Sequence, residues 1–391
     1  MPACPGVGAA PVAVGVGQAR SWEVAERCWA SRRHHRGIEQ PAMAAMVKMS
    51  AGRVAVATME PMPTHSSTRG RVLRVLVTFV VVLLVVPLLL LGANAVLTAY
   101  EKHNAINRLG PELRTTRVDG VGIAAHVQGQ GERTIVLLPG LGTVSPISDF
   151  APLARQLAGH ARVVVLEPPG YGLSDAARTE RTSANEVSDV RRALAQLDLP
   201  PPYVLMPHSL WGIHALDWAH THPDEVAAIV GIDPTPPNNA FRGSPVPIKV
   251  PIRTAFGGNR LDRWREPAEF TGDLLVGEQE DDGYTPADRQ LALEALVWNN
   301  GNATVHNQSR LVGPNVRQHA GQPYPRDLAY LAILAENGRG YWDRWVAWHT
   351  EPISNPALQQ VQRVPGPHYL HETRSEEIVR HTEAFLAALG R

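Results

Sequence analysis

The stretch "YVLMPHSLWGIHALDWA", Tyr203–Ala219, decides the fold of this 391-residue chain. The apolar residues before Pro207 predict a buried strand, and the apolar pattern after Ser209 predicts a helix. A tight turn between a strand and a helix exposes its central residue, so the Ser209 hydroxyl is a candidate nucleophile, although a serine can also simply cap a helix. Gly212 suits such a crowded turn, whereas Pro207 and Trp211 stand where small residues fit best.

Strands and helices alternate on both sides of this stretch. "TIVLLPG", "ARVVVLEPPG", "VAAIVGIDP" and "DLAYLAILAE" are short apolar runs typical of strands covered on both faces. Helical patterns lie between them, at Ser183–Leu197 for example, and "EEIVRHTEAFLAAL" ends the chain as an amphipathic helix. The alternation predicts an α/β fold with a doubly wound, mostly parallel sheet. Residues 238–325 interrupt it and predict a helical cap, with Thr285 as one N-cap.

An uncharged apolar run, Val75–Leu97, precedes the predicted sheet. As a helix it is long enough to cross a hydrocarbon core of about 30 Å, and it exceeds the apolar part of an ordinary signal peptide. We therefore predict a transmembrane anchor over residues 69–99, between a disordered tail at 1–68 and a folded domain at 100–391. Arg69, Arg71 and Arg74 flank the run on its N-terminal side, which favours a cytoplasmic N-terminus and an extracytoplasmic domain.

Composition excludes several classes of function. The 37 basic and 37 acidic residues give no net charge, so a broad nucleic-acid-binding face is not expected. Both cysteines, Cys4 and Cys28, precede the predicted anchor, so the folded domain has no disulfide, thiol nucleophile or cysteine-based zinc site. The histidines are scattered without metal-ligand spacing. We expect a small or lipid-like substrate, no metal and no cofactor.

A serine nucleophile needs a base and an acid that orients the base. His368 follows a strand-like run and precedes the last helix, which favours it as the base over His371. Asp233 and Glu336 each end an apolar strand, where the active sites of open α/β sheets lie, so either is a candidate acid. Asp343 is a weaker third candidate because its Trp-rich surroundings suggest a surface helix.

Acyl transfer also needs backbone donors that stabilise a developing oxyanion. The N–H of Leu210, directly after the candidate nucleophile, is one predicted donor. The glycine-rich loop "LLPGLGT" supplies the second, and Leu141 is favoured over Gly142. Trp211 is expected beside the acyl group, where its indole would narrow the substrate pocket.

These motifs resemble the α/β-hydrolase superfamily over residues 117–390. "VLLPGLGT" is similar to its oxyanion loop, "EPPGYGLSD" to its strand-four turn, and "GPHYLHETRSEEI" to its histidine loop. "MPHSLWGIHAL" is similar to the nucleophile elbow of a bacterial subgroup in which proline precedes His-Ser, although that subgroup has a small residue at the position of Trp211. The resemblance implies a serine hydrolase with Ser209 as nucleophile and His368 as base, and it favours Asp233 as the acid.

The expected function is therefore that of a membrane-anchored serine hydrolase that cleaves an ester or amide bond through an acyl-enzyme. A serine at the elbow argues against epoxide hydrolase and haloalkane dehalogenase chemistry, which use a carboxylate nucleophile. A peptidase of the proline iminopeptidase type is an alternative. An inactive hydrolase fold that serves as a binding or sensory module is another, because Trp211 could fill the acyl site.

Overall fold

A computed structural model of the protein describes residues 68–238, 256, 258–265, 283–338 and 342–390. The predicted tail lies outside the described residues except for Thr68, and so do residues 239–255, 257 and 266–282 of the predicted cap.

One mixed sheet of eight strands forms the centre of the domain. The strands are β1 (Leu113–Val118), β2 (Val121–Gln128), β3 (Thr134–Leu138), β4 (Arg162–Glu167), β5 (Tyr203–Pro207), β6 (Val226–Ile232), β7 (Tyr330–Glu336) and β8 (Gln359–Pro365). Their order across the sheet is β1-β2-β4-β3-β5-β6-β7-β8. β2 pairs antiparallel with β1 and β4, and the other pairs are parallel, which confirms the predicted fold class.

The described chain has eleven α-helices, and several of them pack against the two faces of this sheet. They are α1 (Thr68–Leu109), α2 (Pro146–Asp149), α3 (Ala151–Leu157), α4 (Ser183–Gln196), α5 (Trp211–Thr221), α6 (Gly258–Arg265), α7 (Pro286–Asn299), α8 (Ala303–His319), α9 (Trp342–Thr350), α10 (Leu370–Thr373) and α11 (Ser375–Ala388). Successive residues of a strand point to opposite faces. In β3, Ile135 accordingly joins the apolar core shared with α3, α7 and α11, whereas Val136 joins the core shared with α4, α5 and α9. Such burial on both faces explains the nearly continuous apolar runs of the central strands.

Three described helices, α6 to α8, belong to the predicted cap. α7 begins with a capping box between Thr285 and Asp288, as the sequence predicts. Asn302 caps α8 and accepts hydrogen bonds from the N–H groups of Thr304 and Val305. α8 packs against α5, so it lies over the helix that follows the candidate nucleophile.

The apolar run predicted as an anchor lies in α1. This helix has a mean hydropathy of 3.1 over its most apolar 18-residue window and is long and apolar enough to cross a membrane. It continues to Leu109, beyond the predicted end at residue 99. The residues after the run, from Glu101 on, are compatible with a helix, and Ala105 there is buried in the core of the domain.

Candidate active site

Ser209 occupies a strained turn between β5 and α5. Its φ angle is +50°, in the left-handed region that residues other than glycine rarely adopt. Two backbone hydrogen bonds hold this conformation: Ser209 donates to the carbonyl of Ile232 (3.1 Å) and accepts from the N–H of Thr235 (2.8 Å). A Cβ atom at Gly212 would lie 2.6 Å from the Cβ of Pro234, so this close approach requires glycine. The turn therefore presents a partly exposed Ser209 at the carboxyl edge of the sheet.

Pro207 is tolerated in this central strand because the ladder is interrupted there. The regular pairing of β5 with β6 ends at Leu205 and returns only as an isolated bridge between His208 and Ile232. On the other side, His208 rather than Pro207 donates to the carbonyl of Leu138, at 2.9 Å. A residue without an N–H group is acceptable at such a strand end.

The side chains of Ser209, His368 and Asp233 form a continuous chain of hydrogen bonds. His368 Nε2 lies 2.9 Å from Ser209 Oγ, and His368 Nδ1 lies 2.5 Å from Asp233 Oδ2. An ionised carboxylate can only accept, so Nδ1 carries the proton and Nε2 is left to accept from the serine hydroxyl. The order acid, imidazole, hydroxyl is the one that general-base activation of a serine requires.

Asp233 is held in place by donors from two other elements. It is fully buried, and its φ angle is +40°. The indole N–H of Trp345, in α9, donates to Asp233 Oδ1 at 2.9 Å, and the backbone N–H of Ala335 donates to the same oxygen at 3.2 Å. A carboxylate that is buried away from solvent needs such hydrogen-bond donors to remain ionised. Trp345 was not predicted as a site residue, because its Trp-rich segment suggested a surface helix, whereas this indole is buried.

The other candidates for base and acid have different partners. Glu336 forms an ion pair with Arg363 at the surface and does not reach His368. His371 is fully buried and its Nε2 lies 2.8 Å from Asp149 Oδ2. Asp343 is exposed on α9. Of the three candidate carboxylates, only Asp233 is hydrogen-bonded to His368.

The backbone N–H groups of Leu141 and Leu210 are available to a ligand. No acceptor for either group is found within the described ranges. Gly142 was the second candidate donor from this loop, but its N–H already donates to the hydroxyl of Tyr171 at 3.2 Å. That hydroxyl in turn donates to the side chain of Gln308 in α8. The geometry therefore leaves Leu141 and Leu210 as the donor pair that an oxyanion could use.

The glycine loop comes close to the nucleophile because Gly140 has no side chain. A Cβ atom there would lie 2.7 Å from His208 Nδ1 and 3.2 Å from Ser209 Cβ. His208 is fully buried, and its Nε2 donates to the carbonyl of His368 at 3.2 Å. Burial lowers the pKa of His208 well below its ordinary value, so it remains neutral. Its ring packs against the rings of His368 and His371, which fixes the histidine loop.

Asp149, His371 and Glu372 form the one group of potential metal ligands found in the described ranges, with ligand atoms within 4.8 Å of one another. His371 and Asp149 are already bonded to each other, and Phe150 packs on the His371 ring. This pair joins α2 to the histidine loop, and we assign it that structural role.

Trp211 does not line the pocket that the sequence led us to expect. Its side chain is fully buried among the core residues shared by the sheet, α4 and α9. Successive helical residues are separated by about 100° around the axis, so Leu210 and Ile213 share one face while Trp211 points elsewhere. Leu210 and Ile213 instead form an apolar cluster with three residues from the glycine loop and α8, namely Leu141, Val312 and Val316.

Comparison with known proteins agrees with this architecture. Residues 133–248 match the family model described as alpha/beta hydrolase fold. Among curated proteins, the uncharacterized protein YbdG of Bacillus subtilis is 33% identical over 116 residues, which cover 30% of this chain and 36% of that protein. The pimeloyl-[acyl-carrier protein] methyl ester esterase of Chromobacterium violaceum is 34% identical over 108 residues, 28% of this chain and 39% of that protein. The matched segments thus span less than half of these relatives.

Solved structures with the same fold include two of named activity. A bacterial membrane phospholipase A aligns with a TM-score of 0.51 at 19% identity and covers 82% of this chain and 98% of its own. The epoxide hydrolase VrEH1 of Vigna radiata aligns with a TM-score of 0.53 at 16% identity and covers 71% of this chain and 98% of its own. At these identities the likeness concerns the fold alone.

Proposed function

Because the chain belongs to the α/β-hydrolase superfamily, we propose that it is a membrane-anchored serine hydrolase that cleaves esters through an acyl-enzyme. One observation carries the proposal: the hydrogen-bonded chain from Ser209 through His368 to Asp233, beside two N–H groups without acceptors in the described ranges. An aspartate or glutamate nucleophile, which epoxide hydrolysis would use, is absent from the elbow.

Each residue has a defined role in this reaction. Ser209 Oγ attacks the ester carbonyl while His368 Nε2 takes the hydroxyl proton, and Asp233 holds the imidazole and stabilises its positive charge. The N–H groups of Leu210 and Leu141 donate to the oxyanion of the tetrahedral intermediate. His368 then gives its proton to the leaving alcohol. Water, activated by the same imidazole, hydrolyses the acyl-enzyme and releases the acid.

An apolar acyl group suits the surroundings of Ser209. The cluster of Leu141, Leu210, Ile213, Val312 and Val316 lies between the elbow and α8 and offers apolar contacts but no charge. The candidate membrane span in α1 would tether this site to a bilayer, which supports a lipid-like ester as the substrate class. The basic residues before the span favour a domain on the extracytoplasmic side.

Hydrolysis of a short-chain aryl ester by the full-length protein in detergent tests the proposal. Ser209→Ala should lower kcat by at least about 1,000-fold, because the nucleophile is lost. Ser188→Ala, on α4 and outside the site, is the matched control and should retain activity within about twofold. Equal activity of wild type and Ser209→Ala would contradict the assignment.

A peptide amide can be offered in the same assay, and its cleavage would place the enzyme among peptidases of the same mechanism. The observation that favoured an inactive binding module no longer supports it. That alternative depended on Trp211 filling the acyl site, and that indole is packed in the core.

A further inference from the structure

Arg260, in cap helix α6, is bound to the C-terminal part of α1. Its guanidinium donates to Asn94 Oδ1 at 2.9 Å and to Thr98 Oγ1 at 2.8 Å. It also pairs with both carboxylate oxygens of Glu101, at 2.5 and 2.8 Å, and Glu101 accepts a further bond from the indole N–H of Trp298 in α7 (2.7 Å). A paired guanidinium with this many partly buried bonds is a specific attachment rather than a loose surface contact.

The attachment lies where the apolar run of α1 ends. Asn94 is still within the uncharged run, and Glu101 is the first charged residue after it. Seven helical residues correspond to about 10 Å along the axis, so Arg260 bridges the end of the run and the start of its polar continuation. Headgroup regions on either side of a hydrocarbon core have a thickness of about 5 to 7 Å. A bilayer around α1 would therefore have its surface at the level of α6.

The free side of α6 carries the residue types that membrane interfaces favour. Trp264 is 78% exposed, more than any other large apolar side chain of the described chain, and Leu261 is 47% exposed. The two are three positions apart, so they lie on one face of the helix. Exposed Arg263 stands beside them, and with Arg260, Trp264 and Val297 it lines a shallow depression of about 300 Å³. Tryptophan rings at this level and arginines near phosphates are the usual interfacial pattern.

We propose that α6 is an interfacial helix that rests on a phospholipid bilayer. Leu261 and Trp264 enter the boundary between headgroups and acyl chains, and the Arg263 guanidinium binds headgroup phosphates. This inference rests on the proposed anchoring of α1 in a membrane. Exposed apolar side chains next to a membrane span bury their surface in lipid at little entropic cost, because the span already holds the domain at the bilayer.

This position of α6 affects which substrates reach the site, because α6 is joined to the other cap helices. Asn259 donates to the carbonyls of Val297 and Asn300 at 3.3 and 3.1 Å, and so joins α6 to the end of α7. Asn302, two residues after Asn300, caps α8, and α8 contributes Val312 and Val316 to the apolar cluster beside Ser209. Bilayer contact at α6 thus holds the cap of the site at the membrane surface, which favours esters that reside in the bilayer over esters in solution.

Spin labels on the full-length protein in phospholipid nanodiscs test the contact. In a Cys4→Ser, Cys28→Ser background, single labels are placed at Trp264→Cys, at Leu89→Cys as a lipid-exposed reference, and at Ala195→Cys on α4 as a water-exposed reference. The ratio of oxygen to nickel-complex accessibility at position 264 should exceed that at position 195 by at least about threefold. Equal ratios at positions 264 and 195 would overturn the proposal, and so would burial of the label at 264 in a protein partner or second copy, which lowers both accessibilities.

Activity provides a second readout that does not depend on the labels. Trp264→Ser should reduce hydrolysis of an ester embedded in vesicles by about five- to tenfold and leave hydrolysis of a soluble aryl ester within about twofold, whereas Trp264→Tyr should keep both activities. Equal loss on both esters, or no loss on either, would contradict the interfacial role. Failure of the wild type on every ester would refute the proposed function instead, and the label ratios would still decide the contact of α6 with lipid.

Discussion

The strand-end site, formed by Ser209, Asp233 and His368, and the described cap, α6 to α8, are stabilised in different ways. The first two site residues follow neighbouring parallel strands, and both have positive φ angles fixed by sheet hydrogen bonds. The cap helices are instead attached through side chains, among them Arg260 and Asn302, to α1 and to loops. Backbone hydrogen bonds place reacting atoms precisely, whereas side-chain attachment leaves room for variation. The difference suggests that the sheet determines the chemistry and the cap determines access.

The largest expected effect separates two strand-end carboxylates. Asp233→Asn should lower kcat by about 10,000-fold, because an amide cannot hold His368 in the required tautomer. Glu336→Gln, which breaks only a surface ion pair with Arg363, should keep kcat within about twofold. Steady-state kinetics with a soluble aryl ester measure both variants. A larger loss in Glu336→Gln than in Asp233→Asn would reverse the assignment of the acid.

A smaller effect is expected for the residue that positions the acid. Trp345→Phe removes the indole donor to Asp233, a bond to a charged group worth about 1.5 to 3 kcal/mol, so kcat should fall by about 10- to 100-fold with KM nearly unchanged. Trp348→Phe, in the same helix and in contact with the Trp345 ring, is the control and should alter kcat little. Equal losses in both variants would mean that packing of α9, rather than the hydrogen bond, matters.

A glycine-to-alanine substitution should destabilise the domain more in the turn that holds Ser209 than in α1. At Gly212 an added Cβ would meet Pro234 at 2.6 Å and the backbone of Thr235 at 3.1 Å, so Gly212→Ala should destabilise the domain by about 1 to 3 kcal/mol. Gly92→Ala, where nothing lies within 4 Å, should leave the thermal midpoint of the domain unchanged. Thermal unfolding in detergent, followed by circular dichroism, measures both. A Gly212→Ala protein as stable as wild type would show that the elbow can relax.

The smallest expected effect is a loss of stability at acid pH, caused by His214 in α5 beneath the cap helix α8. Burial lowers the pKa of His214 from 6.5 to about 3, so the imidazole is neutral in the folded protein. As the pH falls, His214 takes up a proton in the unfolded chain before it does so in the folded protein. The contribution of His214 to the free energy of unfolding is therefore fully present above pH 6.5 and decreases as the pH falls from 6.5 to 3. At pH 5.5 this group should cost about 1 kcal/mol. His214→Asn should flatten the pH dependence of the thermal midpoint, and an unaltered slope would refute this origin.

Much of the strand-end site could be predicted from the sequence, because local patterns specify it. Ser209 follows an apolar strand and precedes a helix, and His368 follows the last strand. Strand β1, which is mostly polar and has neither an apolar run nor a regular alternation, was not predicted. The residue pattern alone left both Asp233 and Glu336 open, since both end parallel strands, and only the resemblance to the superfamily favoured Asp233. The choice depends on Trp345, more than a hundred positions away from Asp233, and no local pattern connects the two.

Side-chain direction and distant partners account for the other differences. Trp211 was expected in the pocket, but a one-residue step around α5 turns it into the core. Gly142 was a candidate donor, but the hydroxyl of Tyr171 accepts from its N–H. The attachment of Arg260 to Asn94 joins residues 166 positions apart, so only the folded chain reveals it.

Covalent labelling of Ser209 tests the central claim most directly. The full-length protein is treated with a fluorophosphonate probe, digested and mapped by mass spectrometry. The proposed mechanism predicts one modified peptide with the probe on Ser209, and loss of labelling in both Ser209→Ala and His368→Ala. No modification of Ser209 in folded protein, or undiminished labelling at another serine in the Ser209→Ala variant, would contradict it.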